Sequence, residues 1–258
     1  MLKRPQPDLR PPLPPIDDLM RTLVVIATYN EIENLPRLVE TILSLPDDLD
    51  VLVIDDNSPD GTGHWVRQQS DQEPRLDLIE RTGKLGLGTA TFTGLRYAIE
   101  QRYDCAVTMD ADFSHHPRYI PKLVAELSDR RDPTPDVVIG SRYVPGGRIQ
   151  GWPLYRRWLS WAVNRYARLF LRLRVADCSG AFRCYRLTAL QNVDWERMHS
   201  SGYSYLEELL WVLQQQGMTF TEIPIEFVDR QSGHSKINSR EAMAALWIIF
   251  RLGIWGHR

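Results

Sequence analysis

Residues 105–117 read Cys105-Ala-Val-Thr-Met-Asp-Ala-Asp-Phe-Ser-His-His-Pro117. The apolar residues 106–109 predict a short buried strand that ends at two carboxylates, Asp110 and Asp112. On a turn just beyond a strand end, such a pair can converge on one divalent cation, and hard oxygen ligands suit Mg²⁺ or Mn²⁺. The alternative is an aspartate-rich turn with solvated carboxylates, so the choice depends on the surrounding chain.

Two other predicted strands also end at acidic side chains. The β-branched run Thr22–Thr28 predicts a central parallel strand and is followed by Glu31. A second buried strand over 51–54 is followed by Asp55 and Asp56. In open α/β sheets, ligands bind outside the carboxyl ends of the strands. We therefore expect a ligand site where these three strands end.

Composition limits the classes of protein that the chain can represent. Its 258 residues suffice for one α/β domain with a sizeable core, and two full domains would be cramped. The formal net charge of -2 excludes a globally basic nucleic-acid-binding protein, and we expect no nucleic-acid partner. The three cysteines lack C-x-x-C spacing, which predicts neither a zinc site nor a disulfide framework. We expect a reducing, cytoplasmic environment.

We expect the chain to divide into three parts. Residues 1–20 contain six prolines and no apolar signal segment, which predicts an extended, mobile arm. Residues 21–240 are expected to form the α/β domain. Residues 241–258 predict an apolar helix that is too short to span a bilayer. Such a helix suits a membrane interface or the membrane helix of a small anchoring subunit.

Residues 156–174 change the character of the chain. At helical spacing, one arc is apolar and aromatic, and another carries Arg157, Arg165, Arg168 and Arg172. The segment holds six arginines and no acidic residue, which favours a helix lying on an anionic membrane surface. The alternative is an amphipathic helix that packs on its own domain and exposes a solvated basic face.

Two further features belong to the predicted sheet edge. Residues 83–88 (GKLGLG) match neither nucleotide-loop pattern, so they indicate either close approach of a loop to the sheet or a role for Lys84 near a phosphate. Arg142 follows a buried strand predicted over 136–139 and stands at the same edge as the carboxylates. Its planar guanidinium group can bind a phosphate, or it can form a structural ion pair with one of the aspartates.

Seven motifs, taken in order, resemble those of the polyprenyl-phosphate (dolichyl-phosphate) mannosyltransferases, inverting enzymes of glycosyltransferase family 2. The motifs are TYNEIENLP (28–36), VIDDNSPDGT (53–62), KLGLGTA (84–90), MDADFSHHP (109–117), GSRYVPGG (140–147), DCSGAFRCYR (177–186) and FVDRQSGHSK (227–236). The resemblance implies an α/β GT-A fold, which is a Rossmann-like, open, twisted and mostly parallel sheet flanked by helices. Beside this fold, the residue patterns of 156–174 and 241–258 predict C-terminal amphipathic helices at an interface.

The resemblance further implies roles for individual residues. The implied donor-binding residues are Ala27, Tyr29, Glu31, Ile54, Asp56, Asp110, Ala111, Asp112, Arg142, Arg230 and Lys236. Asp110 and Asp112 would hold the Mg²⁺ or Mn²⁺ ion and, with Arg142, would be the catalytic residues. Arg142 and Arg157 would meet the acceptor phosphate.

The implied reaction is transfer of mannose from GDP-mannose to a polyprenyl phosphate on the cytoplasmic face of a membrane. A UDP-glucose-dependent polyprenyl-phosphate glucosyltransferase and a non-catalytic nucleotide-sugar-binding subunit are the alternatives. Three positions depart from the family pattern. Ala27 replaces a proline, Ser114 replaces a glutamine that helps to bind the metal, and Leu206 replaces a glutamine ahead of the family's glutamate, here Glu208.

Overall fold

The computed structural model describes residues 20–46, 48–129, 133–229 and 239–256. The strands are β1 (Thr22–Thr28), β2 (Leu49–Asp55), β3 (Leu76–Glu80), β4 (Cys105–Met109), β5 (Val137–Ser141), β6 (Arg148–Gln150), β7 (Arg183–Arg186), β8 (Phe220–Pro224) and β9 (Glu226–Val228). The helices are α1 (Leu35–Leu43), α2 (Thr62–Ser70), α3 (Leu87–Glu100), α4 (Ile120–Ser128), α5 (Leu154–Leu171), α6 (Leu187–Leu190), α7 (Tyr205–Gln215) and α8 (Ser239–Trp255).

Seven of the described strands form one open sheet in the order β3-β2-β1-β4-β7-β5-β8. Neighbouring strands run parallel except where β7 lies antiparallel between β4 and β5. The short strands β6 and β9 form a separate parallel pair. The expected open, mostly parallel sheet is therefore confirmed.

The central strands are apolar throughout because helices cover both faces of the sheet. In β1, Leu23 and Val25 face a core shared with helices α3, α5, α7 and α8, whereas Val24 and Ile26 face a core shared with α1, α2 and α4. This alternation follows from the period of two residues along a strand. A strand buried on both faces reads as a continuous apolar run, as β1 and β4 do.

The helix predicted over 156–174 is α5, which spans Leu154–Leu171 and is capped by Arg172, whose φ of 54° is left-handed. Helix α8 lies against it: the Phe170 and Phe250 rings are 5.8 Å apart, and the Tyr166 hydroxyl donates to the Leu246 carbonyl oxygen at 3.2 Å. No helix in the described parts of the chain is long and apolar enough to cross a bilayer. Of the predicted arm over residues 1–20, only Met20 lies within the described residues.

Helices α2 and α6 and strand β6 were not expected from the sequence. Helix α2 has a weak apolar period, since only Val66 among its larger apolar side chains is fully buried. The helix starts after Gly61, whose φ of 92° suits glycine. Strand β6 has three residues with no buried side chain, too short a pattern to recognise.

We predict that Gly94→Ala destabilises the protein by about 1 to 2 kcal/mol, because a Cβ at this position would overlap the Val25 side chain on β1. Gly83→Ala is the matched control, since a Cβ there meets nothing within 4 Å. Urea unfolding of both variants measures the difference. Equal unfolding free energies would show that α3 does not approach β1 this closely.

Candidate active site

A cleft opens where β1, β2 and β4 end. The strand register pairs Thr28 with Asp55 and Ile26 with Met109, so the residues that follow these strands share one edge of the sheet. The cleft is lined by Ala27, Thr28, Tyr29, Glu31, Asp56, Lys84, Gly86, Leu87, Ala90, Asp110, Ala111, Asp112, Gly202 and Tyr203. The structure thus brings together these predicted donor-binding residues: Ala27, Tyr29, Glu31, Asp56, Asp110, Ala111 and Asp112.

The loops after β1 and β2 are tied together by backbone donors. The N–H of Asn30 donates to the Ser58 hydroxyl at 2.9 Å, and the N–H of Ile32 donates to the Asp60 carboxylate at 3.1 Å. Burial acts to raise the pKa of Asp60, but hydrogen bonds from Thr62 and Ile32 outweigh it and hold the pKa below its usual value. Asp60 is therefore a stable anionic acceptor that fixes one wall of the cleft.

Asp55 and Asp56, at the end of β2, have different roles: Asp55 is structural and Asp56 faces the cleft. The buried Asp55 carboxylate accepts bonds from the Thr28 hydroxyl and from the Ser58 N–H, both at 2.9 Å, so it holds the turn. Asp56 lines the cleft and forms an ion pair with Arg81. It also accepts the N–H of Leu85 at 3.1 Å.

Arg81 connects Asp56 to the glycine-rich loop. Its guanidinium donates to the Gly86 carbonyl oxygen at 3.0 Å and to the Thr89 hydroxyl at 2.7 Å. Lys84, in the same loop, places its ammonium 4.6 Å from the centre of the Tyr29 ring and lines the cleft. The loop therefore brings a cation to the cleft, and a role of Lys84 near a phosphate stays a prediction.

The acidic turn after β4 is held by its own backbone. Asp112 is buried and accepts the N–H of Ser114 at 3.0 Å, and Phe113 between them has a left-handed φ of 60°. Asp110 is more accessible, with 35% of its side chain exposed. The turn therefore presents two carboxylates of different exposure to one cleft.

The buried side chain of His115 packs against this turn and forms a hydrogen bond with its backbone. Its ring is stacked on Phe182 at 5.2 Å, and its Nδ1 accepts the N–H of Asp110 at 3.3 Å. Burial lowers the pKa of His115 to about 4, so the imidazole is neutral at pH 7 and keeps Nδ1 as an acceptor. A neutral histidine thereby fixes the backbone at the first carboxylate.

The donor atoms of this turn fit a divalent cation. Asp110 and Asp112 supply hard carboxylate oxygens on one cleft wall, and the buried Ser114 Oγ has no hydrogen-bond partner among the described residues. Within the described residues, no cluster of three or more His, Cys, Asp or Glu forms a complete metal site. Two protein carboxylates with substrate phosphates are the arrangement common for Mg²⁺.

Two residues that are predicted to contact the donor are not among the residues that line the cleft. The Ile54 side chain is fully buried in the core and does not line the cleft. Arg142 lies outside the cleft as well: its Nε and Nη2 each donate to the Asp177 carboxylate at 2.7 Å. The structural pairing foreseen for Arg142 therefore exists, but with an aspartate 35 residues away rather than with the acidic turn. Predicted contacts Arg230 and Lys236 lie outside the described residues.

Arg142 instead lines a second pocket that also contains Arg157. This pocket is lined by Arg142, Tyr143, Gly147, Arg148, Ile149, Leu154, Arg157, Trp158 and Trp161. Burial acts to lower the pKa of Arg142, but Asp177 first and Asp110 to a lesser degree raise it above the usual value. Arg142 directly follows β5, whose carboxyl end lies on the same sheet edge as that of β4, so the second pocket and the cleft are on one edge of the sheet.

Helix α5 is bonded to this second pocket through Asn164. The Asn164 amide donates to the Ser179 hydroxyl at 3.0 Å and accepts the N–H of Cys178 at 2.7 Å. Ser179 in turn accepts a bond from Arg142 at 2.9 Å. The outer surface of α5 exposes Leu154, Tyr155, Trp158, Leu159, Trp161, Leu169 and Phe170. A cationic pocket therefore adjoins an exposed apolar helix face.

Sequence reasoning missed Arg81 and His115. Arg81 directly follows β3, so the rule that residues beyond strand ends reach the ligand edge would have found it. His115 carries no such signal, because its role depends on burial between Phe182 and Phe227, which are remote in sequence.

Comparisons with known proteins agree with this architecture. Residues 23–194 match the profile of Glycosyl transferase family 2. The undecaprenyl-phosphate mannosyltransferase of Micrococcus luteus is 39% identical over 91% of this chain and 95% of that protein. The polyprenol monophosphomannose synthase of Mycolicibacterium smegmatis is 39% identical over 92% of this chain and 88% of that protein.

Solved structures share the fold at low sequence identity. Glucosyl-3-phosphoglycerate synthase of Mycobacterium tuberculosis, solved with Mn²⁺, UDP-Glc and phosphoglyceric acid, has a TM-score of 0.64 at 17% identity and covers 96% of this chain and 86% of its own. The mannosyltransferase PcManGT of Pyrobaculum calidifontis was solved with GDP-Man and Mn²⁺. It has a TM-score of 0.56 at 18% identity, and the match covers 93% of this chain and 72% of that protein.

A mostly parallel sheet with an acidic turn in a cleft at its carboxyl edge defines the GT-A class of glycosyltransferases. The profile match and the two relatives go further, and the chain belongs to glycosyltransferase family 2.

Glu207 yields a prediction about the pH dependence of stability. Burial raises its pKa to about 7, although Arg183 and Arg142 lower it and Asp177 raises it further. A carboxyl with a raised folded-state pKa stabilises fully below its unfolded-state pKa near 4.5, and this stabilisation is lost as pH rises through 7. We expect Glu207→Gln to gain about 2 kcal/mol relative to wild type between pH 5 and pH 8.

Urea unfolding of both proteins at pH 5 and pH 8 measures this change. Glu126→Gln, on the surface helix α4, serves as the control and should show no such gain. A constant difference between Glu207→Gln and wild type across this range would contradict the raised pKa.

Proposed function

We propose that the protein transfers mannose from GDP-mannose to a polyprenyl phosphate with inversion at the anomeric carbon. The observation that carries this proposal is the joint presence, at one sheet edge, of an acidic cleft and a cationic pocket beside an exposed apolar helix face. A nucleotide sugar suits the first pocket, and an amphiphile with an anionic head suits the second. The names of both relatives at 39% identity support mannose as the transferred sugar and a polyprenyl phosphate as the acceptor.

The cleft supplies distinct chemistry for the two ends of a nucleotide sugar. Tyr29 and Asp56 offer an aromatic face and a carboxylate for the base and ribose, and Lys84 offers a positive charge. The acidic turn lies further along the same lining and would face the diphosphate. Arg230 and Lys236 are proposed to act around the phosphates and lie outside the described residues.

Asp110 and Asp112 would hold Mg²⁺ or Mn²⁺, which when bound neutralises the negative charge that grows on the departing diphosphate. His115 contributes indirectly, because its bond to the Asp110 N–H fixes the turn that presents both carboxylates.

The second pocket is proposed to bind the acceptor. Asp177 occupies two nitrogens of Arg142, and Nη1 has no hydrogen-bond partner among the described residues. Arg157 and Arg148 line the same pocket, so a phosphate there would meet several cations. Trp158 and Trp161 supply apolar contact for the first isoprene units.

The chemistry needs no strong general base. A polyprenyl phosphate is anionic at neutral pH, so one of its oxygens can form a bond to the anomeric carbon as the bond to the GDP oxygen breaks. GDP leaves with the electron pair of that bond. A single displacement converts the α linkage of GDP-mannose to a β linkage. The arginines of the second pocket reduce the repulsion between two phosphorylated substrates.

We further propose that α5 and α8 rest on the cytoplasmic face of a membrane. Their exposed large apolar side chains include Trp158, Trp161 and Trp247, and Arg157, Arg165, Arg168 and Arg172 of the α5 region are exposed beside them. Aromatic side chains with arginines are typical of a helix at an anionic lipid surface. A small anchoring subunit remains compatible with the same apolar surface.

The proposal predicts that the purified protein forms polyprenyl phosphate β-mannose from GDP-mannose, polyprenyl phosphate and Mg²⁺ or Mn²⁺. UDP-glucose is assayed side by side, and radiolabelled lipid product is quantified. Transfer from UDP-glucose and not from GDP-mannose would show that UDP-glucose is the donor. Binding of a nucleotide sugar without any transfer would favour the non-catalytic alternative.

Two variants test whether the acidic turn drives this reaction. Asp112→Ala should lose on the order of 1,000-fold in turnover, because the charge on the departing diphosphate is no longer stabilised. Asp71→Ala, an exposed aspartate at the end of α2, should retain normal turnover. Circular dichroism establishes that both variants keep the fold, and near-normal turnover of Asp112→Ala would defeat the assignment.

Membrane attachment is tested by vesicle flotation. The four-fold variant Arg157→Gln, Arg165→Gln, Arg168→Gln and Arg172→Gln should bind vesicles of phosphatidylcholine and anionic phosphatidylglycerol at least about tenfold more weakly, since each cation contributes about 1 kcal/mol. The matched control replaces the exposed Arg37, Arg67, Arg96 and Arg102 by glutamine, which changes the charge equally. Equal loss in both variants would indicate a general charge effect, and no wild-type binding would exclude the lipid surface.

A further inference from the structure

The residues 199–203, called the wall segment below, complete the cleft. Gly202 and Tyr203 belong to its lining, together with Asp110 and Asp112 of the acidic turn. The segment has no regular secondary structure, so its position depends on side chains and backbone groups from other elements. Two such elements hold it, helix α7 on one side and helix α3 on the other.

Glu208, in the first turn of α7, holds the wall segment through both carboxylate oxygens. Oε1 accepts the N–H of His199 and Oε2 accepts the N–H of Ser200, each at 2.8 Å. Glu208 is fully buried. An ionised carboxylate accepts on both oxygens, whereas the isosteric amide of glutamine has one acceptor and one donor. The pair of bonds therefore requires a carboxylate at this position.

Helix α3 holds the opposite side of the wall segment. The N–H of Gly88 donates to the Ser201 carbonyl oxygen at 2.9 Å. A Cβ at Gly88 would lie 2.9 Å from the Tyr205 Cβ on α7, 3.0 Å from the Ser200 carbonyl oxygen and 3.1 Å from that of Gly202. Both Gly86 and Gly88 thus permit close approach, and the element that they approach is the wall segment rather than the sheet.

We infer that Glu208 is a positioning residue for the nucleotide-sugar donor. By clamping the wall segment against the start of α3, its carboxylate sets the position of Gly202 and Tyr203 in the cleft. The inference deepens the proposed function and rests on it only in taking the cleft as the donor site. Glu208 itself does not line the cleft, and its effect on the donor passes through the wall segment.

Glu208→Gln tests the inference, with Glu207→Gln as the matched control on the next residue of the same helix. We expect the KM for the donor to rise about tenfold in Glu208→Gln, while the KM for polyprenyl phosphate changes by less than about twofold. Glu207 makes no side-chain bond to the described wall segment, so its variant should keep both KM values near those of wild type. An unchanged donor KM in folded Glu208→Gln, or an equal rise in both KM values, would overturn the inference.

A second variant approaches the same segment from α3. Gly88→Ala removes no atom of Glu208 but presses a methyl group on the Ser200 and Gly202 carbonyls and on the Tyr205 Cβ at the start of α7. The KM for the donor should therefore again rise while the KM for polyprenyl phosphate stays near that of wild type. This variant decides the matter if Glu208→Gln does not fold.

Calorimetric titration separates the inference from the proposed function. Wild type is titrated with GDP-mannose and with UDP-glucose in the presence of Mn²⁺. The two variants are then titrated with the nucleotide sugar that binds to wild type. Weaker binding by Glu208→Gln and Gly88→Ala supports the positioning role even if mannose transfer fails. Unchanged binding by both variants overturns it even if transfer succeeds.

Discussion

The active edge of this sheet depends on hydrogen bonds from backbone N–H groups to carboxylates. Loops beyond strand ends have no ladder to fix them, and their backbone donors need partners. Here acidic side chains provide them in each loop of the edge: Asp55, Asp60, Asp112, Asp177, Glu208 and Glu222 each accept at least one N–H. The edge is therefore acidic for structural reasons as well as for chemistry, and Asp56 and Asp112 belong to both groups, because each accepts a backbone N–H and also lines the cleft.

The antiparallel strand β7 explains how two pockets come to share this edge. Because β7 runs against its neighbours, its amino end lies where the other strands have their carboxyl ends. Residues 177–180, which precede β7, are therefore delivered to the active edge. Asp177 can then bind Arg142, which follows β5, and the resulting ion pair is buried. Removal of one partner from such a pair would leave an uncompensated charge.

The sequence predicted the features that arise locally. Continuous apolar runs located β1 and β4, and the polar residues after them located the cleft. It could not predict which partner Arg142 takes, because the choice of Asp177 depends on the direction of β7. Ile54 was assigned to the donor through family resemblance, whereas its place in an apolar run already indicated the core. Helix α2 escaped detection because few of its side chains are buried, so the capping and turn chemistry at Gly61 decides where it begins.

Asn164 has a consequence for the way in which the protein can sit on a bilayer. Its amide is bonded to the backbone and side chain of the segment that carries Arg142's partners, so α5 cannot roll about its own axis without breaking those bonds. Helix α5, with its tryptophans, and the arginine pocket are thus expected to move as one rigid unit. If α5 rests on a bilayer as proposed, the depth of this helix in the bilayer would set the height of the pocket above the hydrocarbon, and with it the distance that a lipid headgroup must rise to reach the pocket.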